Sequence, residues 1–393
     1  MTIKQVRYYI FLKDVFILSI TAFGGPQVHI ALFIENLVNR RGYLSEKELM
    51  ELNALCQILP GPTSTQTITA IGFRVGGIPL AYLTLLVWVI PAVSIMIMLA
   101  LGFTLVGSQS LFIDMTQFIQ PMAVGFIAYA GFKISVAVID SKSGILIMIL
   151  SAFLSYSYAS PYLFPILIIS GGLITALKYK KQPVVEKTEP LKIRWDGFIL
   201  WAGILIIGGA LATFTDFQPL KLFANFYRNG SLIFGGGQVL IPLLYTEFVE
   251  FKDFLSSSEF LSGYGFAQAV PGPVFSFSAF IGSLSMREYG ILGSIVGGIS
   301  AAAGIFLPGT FLIFFVYRFW EGLKRYRIVR ASLEGITAAS SGMVMAAALL
   351  LFTPLPLNWY NPTIVIGTFA LLQFTKWPPP FIILGGLLLG LVF

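Results

Sequence analysis

The chain has 393 residues, of which 56% are hydrophobic and 11% are charged, and its formal net charge is +7. Because soluble domains carry about 25% charged residues, this composition excludes a water-soluble globular protein. Apolar runs such as 78–107 and 199–214 are continuous and lack the alternation of a β-barrel strand. We therefore predict an all-α polytopic membrane protein embedded in a lipid bilayer.

The reactive residue types exclude several kinds of site. The single cysteine, Cys56, rules out an intramolecular disulfide, and the single histidine, His29, leaves too few ligands for a structural zinc site or a haem held by His and Cys. Lysines and arginines of a membrane protein mainly mark cytoplasmic loops, so the positive charge does not indicate nucleic-acid binding. We predict no metal, no cofactor and no nucleic-acid partner.

Four short helical segments open the chain, each of about 13–16 residues and too short to cross a membrane comfortably. Two of them meet at Gly24-Gly25-Pro26 and two at Pro60-Gly61-Pro62, where glycine and proline interrupt the helix. Four longer spans are predicted to follow, at about 78–106, 117–139, 143–158 and 161–178.

The first part of the chain is repeated 211 residues later. Phe23-Gly24-Gly25-Pro26 matches Phe234-Gly235-Gly236-Gly237, and Pro60-Gly61-Pro62 matches Pro271-Gly272-Pro273. From 23 to 66 this offset gives 15 identities in 44 positions without a gap. The chain therefore contains two tandem copies of one unit.

The copies suggest a division of the chain. We predict a first repeat at 1–180, a basic cytoplasmic linker at 181–195, and at 196–393 a linking span followed by the second repeat. The linking span, 195–214, has no counterpart in the first copy.

The distribution of basic residues predicts the topology. Those of the first copy, among them Arg40, Arg41 and Arg74, lie at the outer ends of the short segments, which the positive-inside rule places in the cytoplasm with the N-terminus. Each pair of segments then enters and leaves by one face, as a re-entrant hairpin. The alternative is that each pair forms one broken span. If the hairpins do not cross the membrane, the chain has nine full spans, about four in each copy and one between them.

The second copy shows the opposite charge pattern. Its counterpart of the basic loop holds Glu250, Lys252, Asp253 and Glu259, whereas loop 318–330 is basic. This exchange is typical of two inverted-topology repeats. We expect a multi-pass protein of the plasma (inner) membrane.

The helix breaks predict a polar site. Irregular backbone at membrane depth is tolerated only where it is buried in protein or lines a wet cavity. Helices restart at about 26, 63, 237 and 274, and their N-termini are suited to anions. The predicted substrate-binding residues are Gly24, Gly25, Gln27, Asn53, Gln57, Gly61, Thr63, Ser64, Thr65, Gln66, Gly236, Gln238, Gln268, Gly272 and Ser276.

Three further residues have two interpretations each, as groups for proton coupling or anion attraction and as structural residues. His29 could carry a proton or be a packed, hydrogen-bonded histidine. Glu35 could be an intramembrane proton carrier or an interfacial partner of Arg40 or Arg41. Arg74 could attract anions or serve as a cation at a helix C-terminus.

Asn53 and Gln57 also have two interpretations. They lie four residues apart on one helix face, where they either line the site or form hydrogen bonds between helices.

These motifs resemble the chromate transporter family. The resemblance rests on Phe23-Gly24-Gly25-Pro26, on Arg41-Gly42-Tyr43-Leu44-Ser45 and on Gln57-Ile58-Leu59-Pro60-Gly61-Pro62, with the second copy's equivalents, as in long-chain two-domain members. It implies export of chromate coupled to protons or to membrane potential, with sulfate as the expected competitor. Pro26 stands where the family commonly has glycine, and Phe275 and Phe277 flank Ser276, which makes the second site less polar.

The sequence leaves three function classes to consider, namely a secondary transporter, an intramembrane enzyme and a channel. A secondary transporter explains the duplication, the inversion and the breaks together, whereas an enzyme lacks a nucleophile–base pair beside the breaks. A channel or an uptake pathway for another small anion such as sulfate is the alternative. Gly386 and Gly390 form a small-xxx-small pair that permits close helix packing, including a homodimer.

Overall fold

The computed structural model describes residues 3–106, 116–136, 141–158, 160–179, 195–234, 237–320 and 326–392. Within these ranges the chain forms sixteen α-helices and no strand, which confirms the predicted all-α class. The predicted linker lies almost entirely outside the described residues, and the domain boundaries at 180 and 195 stay a prediction.

The helices follow the two copies. The first copy contains α1 (Ile3–Thr21), α2 (Pro26–Phe33), α3 (Glu46–Ile58), α4 (Thr63–Val106), α5 (Ile119–Val136), α6 (Lys142–Ser157) and α7 (Leu163–Ala176). The linking helix is α8 (Asp196–Phe214). The second copy contains α9 (Gln218–Leu232), α10 (Gly237–Tyr245), α11 (Ser257–Ala269), α12 (Phe277–Ser285), α13 (Gly290–Val316), α14 (Arg327–Phe352), α15 (Tyr360–Phe374) and α16 (Pro379–Val392).

Equivalent residues give equivalent local structure in the two copies. Ser45 and Glu48 form a capping box at the start of α3, and Ser256 and Glu259 form the same box at the start of α11. π-helices, Ile34–Arg40 and Thr246–Phe251, continue α2 and α10. α4 breaks at Gly77, whose φ is 74°, and Gly290 at the start of α13 has a φ of 71°.

The helices on either side of each break double back as hairpins, although α1, with 19 residues, is longer than the predicted 13–16. Hairpin 1 is α1 with α2, hairpin 2 is α3 with the first part of α4, hairpin 3 is α9 with α10, and hairpin 4 is α11 with α12. In hairpin 2, Arg74 lies 2.6 Å from Glu48, although a continuous helix would separate them by about 39 Å. In hairpin 1, Arg41 lies 2.8 Å from Asp14. These contacts exclude the broken-span alternative.

Helix α4 shows that the hairpins of the two copies point in opposite directions. Near its break, α4 packs Thr84 against Gly72 in the arm of hairpin 2. Further along, Ala92 packs against Gly272 at the tip of hairpin 4. Near its end, Phe103 contacts Phe280 in the arm of hairpin 4, with 5.2 Å between ring centroids. One helix thus passes hairpin 2 from arm to tip and then hairpin 4 from tip to arm.

Helix α13 repeats this pattern with the copies exchanged. Gly297 packs on Gly282 in the arm of hairpin 4, and Gly309 packs beside Gly61 at the tip of hairpin 2. Phe314 then contacts Phe73 in the arm of hairpin 2, with centroids 5.2 Å apart. The two copies are therefore inverted with respect to each other, as the charge pattern predicted.

The lengths of the full spans differ in part from the prediction. Among the described residues, five segments are long and apolar enough to cross a membrane, namely Thr63–Leu105, which contains the break at Gly77, Ile119–Val136, Asp196–Phe214, Arg287–Phe319 and Arg327–Phe352. The other four predicted spans, α6, α7, α15 and α16, have only 14–16 residues, or about 21–24 Å of helix. α6 and α7 both pack on α14, where Gly342 contacts α6 and Gly335 contacts α7.

Gly386, one residue of the small-residue pair on α16, has a packing role inside the chain. Gly386 is buried, and a Cβ at this position would collide with the thioether of Met122 on α5. Gly386 therefore permits close packing of α16 on α5, and the pair gives no separate support for a homodimer, which stays a prediction.

Candidate functional site

The tips of the hairpins meet through two equivalent hydrogen bonds between the copies. The Gly61 amide donates to the Ile233 carbonyl and the Gly272 amide donates to the Ala22 carbonyl, each over 2.8 Å. Because the offset of 211 residues turns one bond into the other, the contact is two-fold symmetric. Gly61 and Gly272 have φ values of 116° and 98°, which side-chain-bearing residues rarely adopt. These glycines therefore allow each tip to dock on the other copy.

His29 links the tip of hairpin 1 to the start of α4. The imidazole is 1% exposed; Nε2 lies 3.3 Å from the Ala22 carbonyl oxygen and Nδ1 lies 3.0 Å from the Ser64 hydroxyl. Since a carbonyl only accepts, Nε2 carries the proton, and the neutral ring then accepts from Ser64 through Nδ1. His29 is thus a packed, hydrogen-bonded residue, and one of its partners, Ser64, belongs to the predicted site.

Trp88 closes the other side of this cluster. Its indole Nε1 donates to the Thr65 hydroxyl oxygen over 3.2 Å, and its ring meets the His29 ring edge-on at 5.3 Å. Because the indole supplies the proton in its bond, the hydroxyl proton of Thr65 is free to donate elsewhere. Sequence reasoning did not identify Trp88, since nothing local indicates that a residue 23 positions later returns to the tip.

The first turn of α4 presents free donors at the same place. The first bond of the helical ladder runs from the Gln66 amide to the Pro62 carbonyl, so the amides of Thr63, Ser64 and Thr65 lie outside it. Gln66 is buried; its Nε2 donates to the Pro60 carbonyl over 2.6 Å, and its Oε1 has no partner among the described residues. With the positive end of the helix dipole, this turn can hold an anion without a basic side chain.

The corresponding tip of the second copy is apolar, as the sequence predicted. Phe275 and Phe277 occupy the positions of Ser64 and Gln66, and Leu240 occupies that of His29. Ser276 is buried in a 3₁₀ turn, Val274–Ser276, that precedes α12. The polar cluster thus belongs to one copy.

The remaining predicted residues lie in different environments. Gly24 and Gly25 form the tip of hairpin 1 with φ values of 100° and 82°, and Asn53 is buried on α3. Gln27 and Gln57 are exposed, so Asn53 and Gln57 do not share one environment, and Gln268 is half-buried. Gly236 and the side chain of Gln238 lie outside the described residues.

The two charged candidates lie away from the tips. Arg74 pairs with Glu48 at the open end of hairpin 2, near the end of the helical segment at Gly77, which agrees with a helix C-terminal cation. Glu35 is exposed on the π-helix of hairpin 1. Its expected partner Arg41 binds Asp14 instead, because the hairpin brings Asp14 of α1 beside Arg41. Of the two partners considered for Glu35, Arg41 is therefore engaged elsewhere, and a pairing with Arg40 stays a prediction, as does the proton-carrier interpretation.

This architecture defines a class of protein. Inverted copies whose broken helices meet around a polar cluster are the arrangement found in secondary transporters. In the described part of the chain, no three His, Cys, Asp or Glu side chains are grouped so as to hold a metal ion.

The chain belongs to the chromate transporter family. The family's sequence pattern matches it twice, over residues 10–176 and 220–391, which leaves the linking helix α8 between the two matches. A probable chromate transport protein of Synechococcus elongatus is 24% identical over 397 residues, with 100% of this chain and 96% of the relative covered. The chromate transport protein of Cupriavidus metallidurans is also 24% identical, over 396 residues, with 100% and 93% covered.

Other relatives are named as transporters as well. An uncharacterized transporter of Methanocaldococcus jannaschii is 24% identical over 380 residues, with 95% of this chain and 91% of the relative covered. No solved structure matches the chain. The family and these relatives support chromate transport as the function and point to a transporter rather than an enzyme.

Proposed function

We propose that the protein is a secondary transporter that exports chromate by alternating access, with the oxyanion bound at the N-terminus of α4. The observation that carries the proposal is the turn Thr63–Gln66, which places three free amides and the Thr65 hydroxyl at the point where the copies meet. Neutral donors suit a substrate that must leave again, because they bind a dianion without the strength of a bidentate arginine.

Proton coupling can operate through His29. With a neutral ring, the Ser64 hydroxyl proton is committed to Nδ1. Once Nδ1 is protonated, the ring donates to the Ser64 oxygen, and the hydroxyl proton turns to the anion. Protonation of His29 therefore adds one donor to the site and links proton binding to oxyanion binding.

The membrane potential supplies a driving force for export. Moving two negative charges out of a cell that is negative inside releases about 4.6 kcal/mol per 100 mV. The two-fold contact supports alternating access, since the hairpins of one copy can separate from those of the other on either side of the fixed site. Sulfate, an isosteric dianion, is expected to compete.

The orientation in the plasma membrane is proposed from the charges. Hairpins 1 and 2 open on the face that carries Arg40 and Arg41, which we place in the cytoplasm with the N-terminus. Cysteines introduced at Ser45 and Ser256 in a Cys56→Ala background should be labelled from opposite faces, Ser45→Cys from inside. Labelling of both from one face would contradict the inversion.

The site is tested by removing its hydroxyls. Ser64→Ala and Thr65→Ala should each weaken chromate binding by about 1–3 kcal/mol, or roughly 5- to 150-fold, the range for a hydrogen bond to a charged group. The matched control is Ser278→Ala, which removes a buried hydroxyl of the second copy that bonds only to the Phe275 carbonyl among described residues. Calorimetry on purified protein gives the affinities.

Flux in proteoliposomes tests the function. We expect saturable chromate flux that sulfate inhibits and that falls in the Ser64 and Thr65 variants but not in the control. Normal binding and flux in both variants, with loss in Ser278→Ala, would place the site elsewhere. Flux of molybdate and phosphate, measured in competition, ranks the anions by size and charge.

A further inference from the structure

Helix α11 of hairpin 4 is docked on α5 of the other copy. A Cβ at Gly265 would lie 2.2 Å from Cγ2 of Ile119, and the Gln120 amide donates to the Ser258 hydroxyl oxygen over 2.7 Å. Leu261, which lies on the same face of α11 because it is three and four residues from the other two, is 1% exposed. One face of α11 is therefore covered by α5.

The equivalent faces of hairpins 1 and 2 are open. On α3, Met50 takes the position of Leu261 and is 46% exposed, and Ala54, one turn further along the helix, is exposed as well. On α2, Val28 is 41% exposed, whereas its counterpart in hairpin 3, Val239, is 1% exposed. The structure therefore joins equivalent hairpins asymmetrically, because the face that is buried in the second copy is open in the first.

The open face is polar beside the hairpin tips. The side chains of Gln27 and Gln57 are exposed, and so is Gly24, whose φ of 100° belongs to the irregular backbone of tip 1. Irregular backbone and amide side chains are not tolerated against lipid, because their hydrogen bonds to water would be lost. The open face therefore borders a water-filled crevice, which widens toward the face that carries Arg40 and Arg41.

Helix α14 carries the surface that corresponds to the docking surface of α5. In this part of the chain the copies match with an offset of 217 residues, and the structure supports this match because Gly125 packs α5 on α15 as Gly342 packs α14 on α6. Ile336 of α14 thus corresponds to Ile119 of α5. Ile119, which hairpin 4 covers, is 0% exposed, whereas Ile336 is only half-buried.

We propose that the open face of hairpin 2 docks on α14 in the opposite transport state, with Ala54 against Ile336, while hairpin 4 leaves α5. Ala54 stands at the position of Gly265 and carries one methyl group more, so the new contact is wider than that of Gly265 with Ile119. The two contacts are alternatives, and the crevice beside hairpin 2 closes as an equivalent crevice opens beside hairpin 4. The proposal rests on alternating access in the proposed function and names the surfaces that open and close.

Cross-linking in a Cys56→Ala background tests the two contacts. Gln120→Cys with Ser258→Cys reports hairpin 4 on α5, and the corresponding positions of the other copy, Lys47→Cys with Thr337→Cys, report hairpin 2 on α14. A short reagent that joins two thiols through reducible bonds should link each pair, and each link should stop chromate counterflow until it is reduced. The matched control, Lys47→Cys with Gln120→Cys, joins residues on opposite faces and should not be linked. A pair at Lys47 and Thr337 that is linked no more than this control would overturn the proposal.

Thiol labelling tests the crevice without a cross-link. Gln57→Cys should react with a water-soluble maleimide at least about tenfold faster than Ile207→Cys, because the reactive thiolate forms in water and not in lipid. Ile207 is the matched control, since it is 60% exposed on the apolar helix α8. Equal rates at the two positions would show that lipid covers the face of α3 and would overturn the proposal. Failure of the tip site would instead abolish chromate flux in the unlinked protein and leave the linking of both pairs intact.

Discussion

Replacing Gly61 with alanine tests the contact between the hairpin tips. The residue has a φ of 116°, and a Cβ there would lie 2.9 Å from Nε2 of Gln66 and 3.6 Å from the Cα of Gly309. The strained backbone costs about 1–3 kcal/mol. Displacing the Gln66 amide from the Pro60 carbonyl costs about another 0.5–1.5 kcal/mol. The expected loss of stability is therefore about 2–4 kcal/mol.

Gly77→Ala is the control that distinguishes the cost of backbone strain from the cost of displacing neighbouring atoms. Gly77 has a φ of 74°, and a Cβ at this position would meet no atom within 4 Å, so alanine there costs the backbone strain alone. Thermal unfolding in detergent should rank Gly61→Ala below Gly77→Ala, and chromate flux should fall further in Gly61→Ala. Equal stability and flux of the two variants would refute the role of the tip.

Three further changes follow from single contacts. Trp88→Phe keeps a ring beside His29 but loses the hydrogen bond to Thr65, so the free energy of chromate binding, measured by calorimetry, should weaken by about 0.5–1.5 kcal/mol. An unchanged affinity would show that the indole does not contribute to the binding site. Arg74→Ala breaks an exposed ion pair and should lower stability by at most about 1 kcal/mol. The association rate of chromate in stopped-flow traces should become slower and less dependent on salt, and abolished binding would contradict this role. Gly335→Ala places a Cβ against the Gly171 carbonyl and should destabilise the fold by about 1–3 kcal/mol in thermal unfolding. Gly367→Ala, which has open space around the new Cβ, should not destabilise it, and equal effects of the two changes would contradict the close packing of α7 on α14.

The elements that could be predicted from the sequence have local causes. Proline and glycine at 60–62 end one helix and begin the next, and the positive φ of Gly61 follows from that turn. The repeat and the exchange of basic residues then predicted opposed hairpins, which the contacts of α4 and α13 confirm. The helix breaks are thus predicted from neighbouring residues, and the inversion is predicted from a comparison of the two copies.

The parts that could not be predicted depend on contacts between distant segments. Trp88 reaches Thr65 only because α4 turns back at Gly77, and the hairpin brings Asp14 beside Arg41 in place of Glu35. The shortness of α7, which has 14 residues where a span at 161–178 was predicted, was missed because apolar composition does not show where a helix stops. The buried ion pairs of Glu247 with Arg228 and Lys252 were also not predicted, because the first copy has Asn36 at the position of Glu247 and the comparison of the copies considered identical residues.

Chromate counterflow in proteoliposomes tests the central claim most directly. Vesicles loaded with unlabelled chromate should take up labelled chromate transiently above its equilibrium level, at a rate that saturates with concentration, because a carrier with alternating access exchanges substrate across the membrane. The overshoot should shrink in Thr65→Ala and persist in Ser278→Ala. Uptake that follows the membrane potential without saturation or overshoot would show a channel and contradict the account.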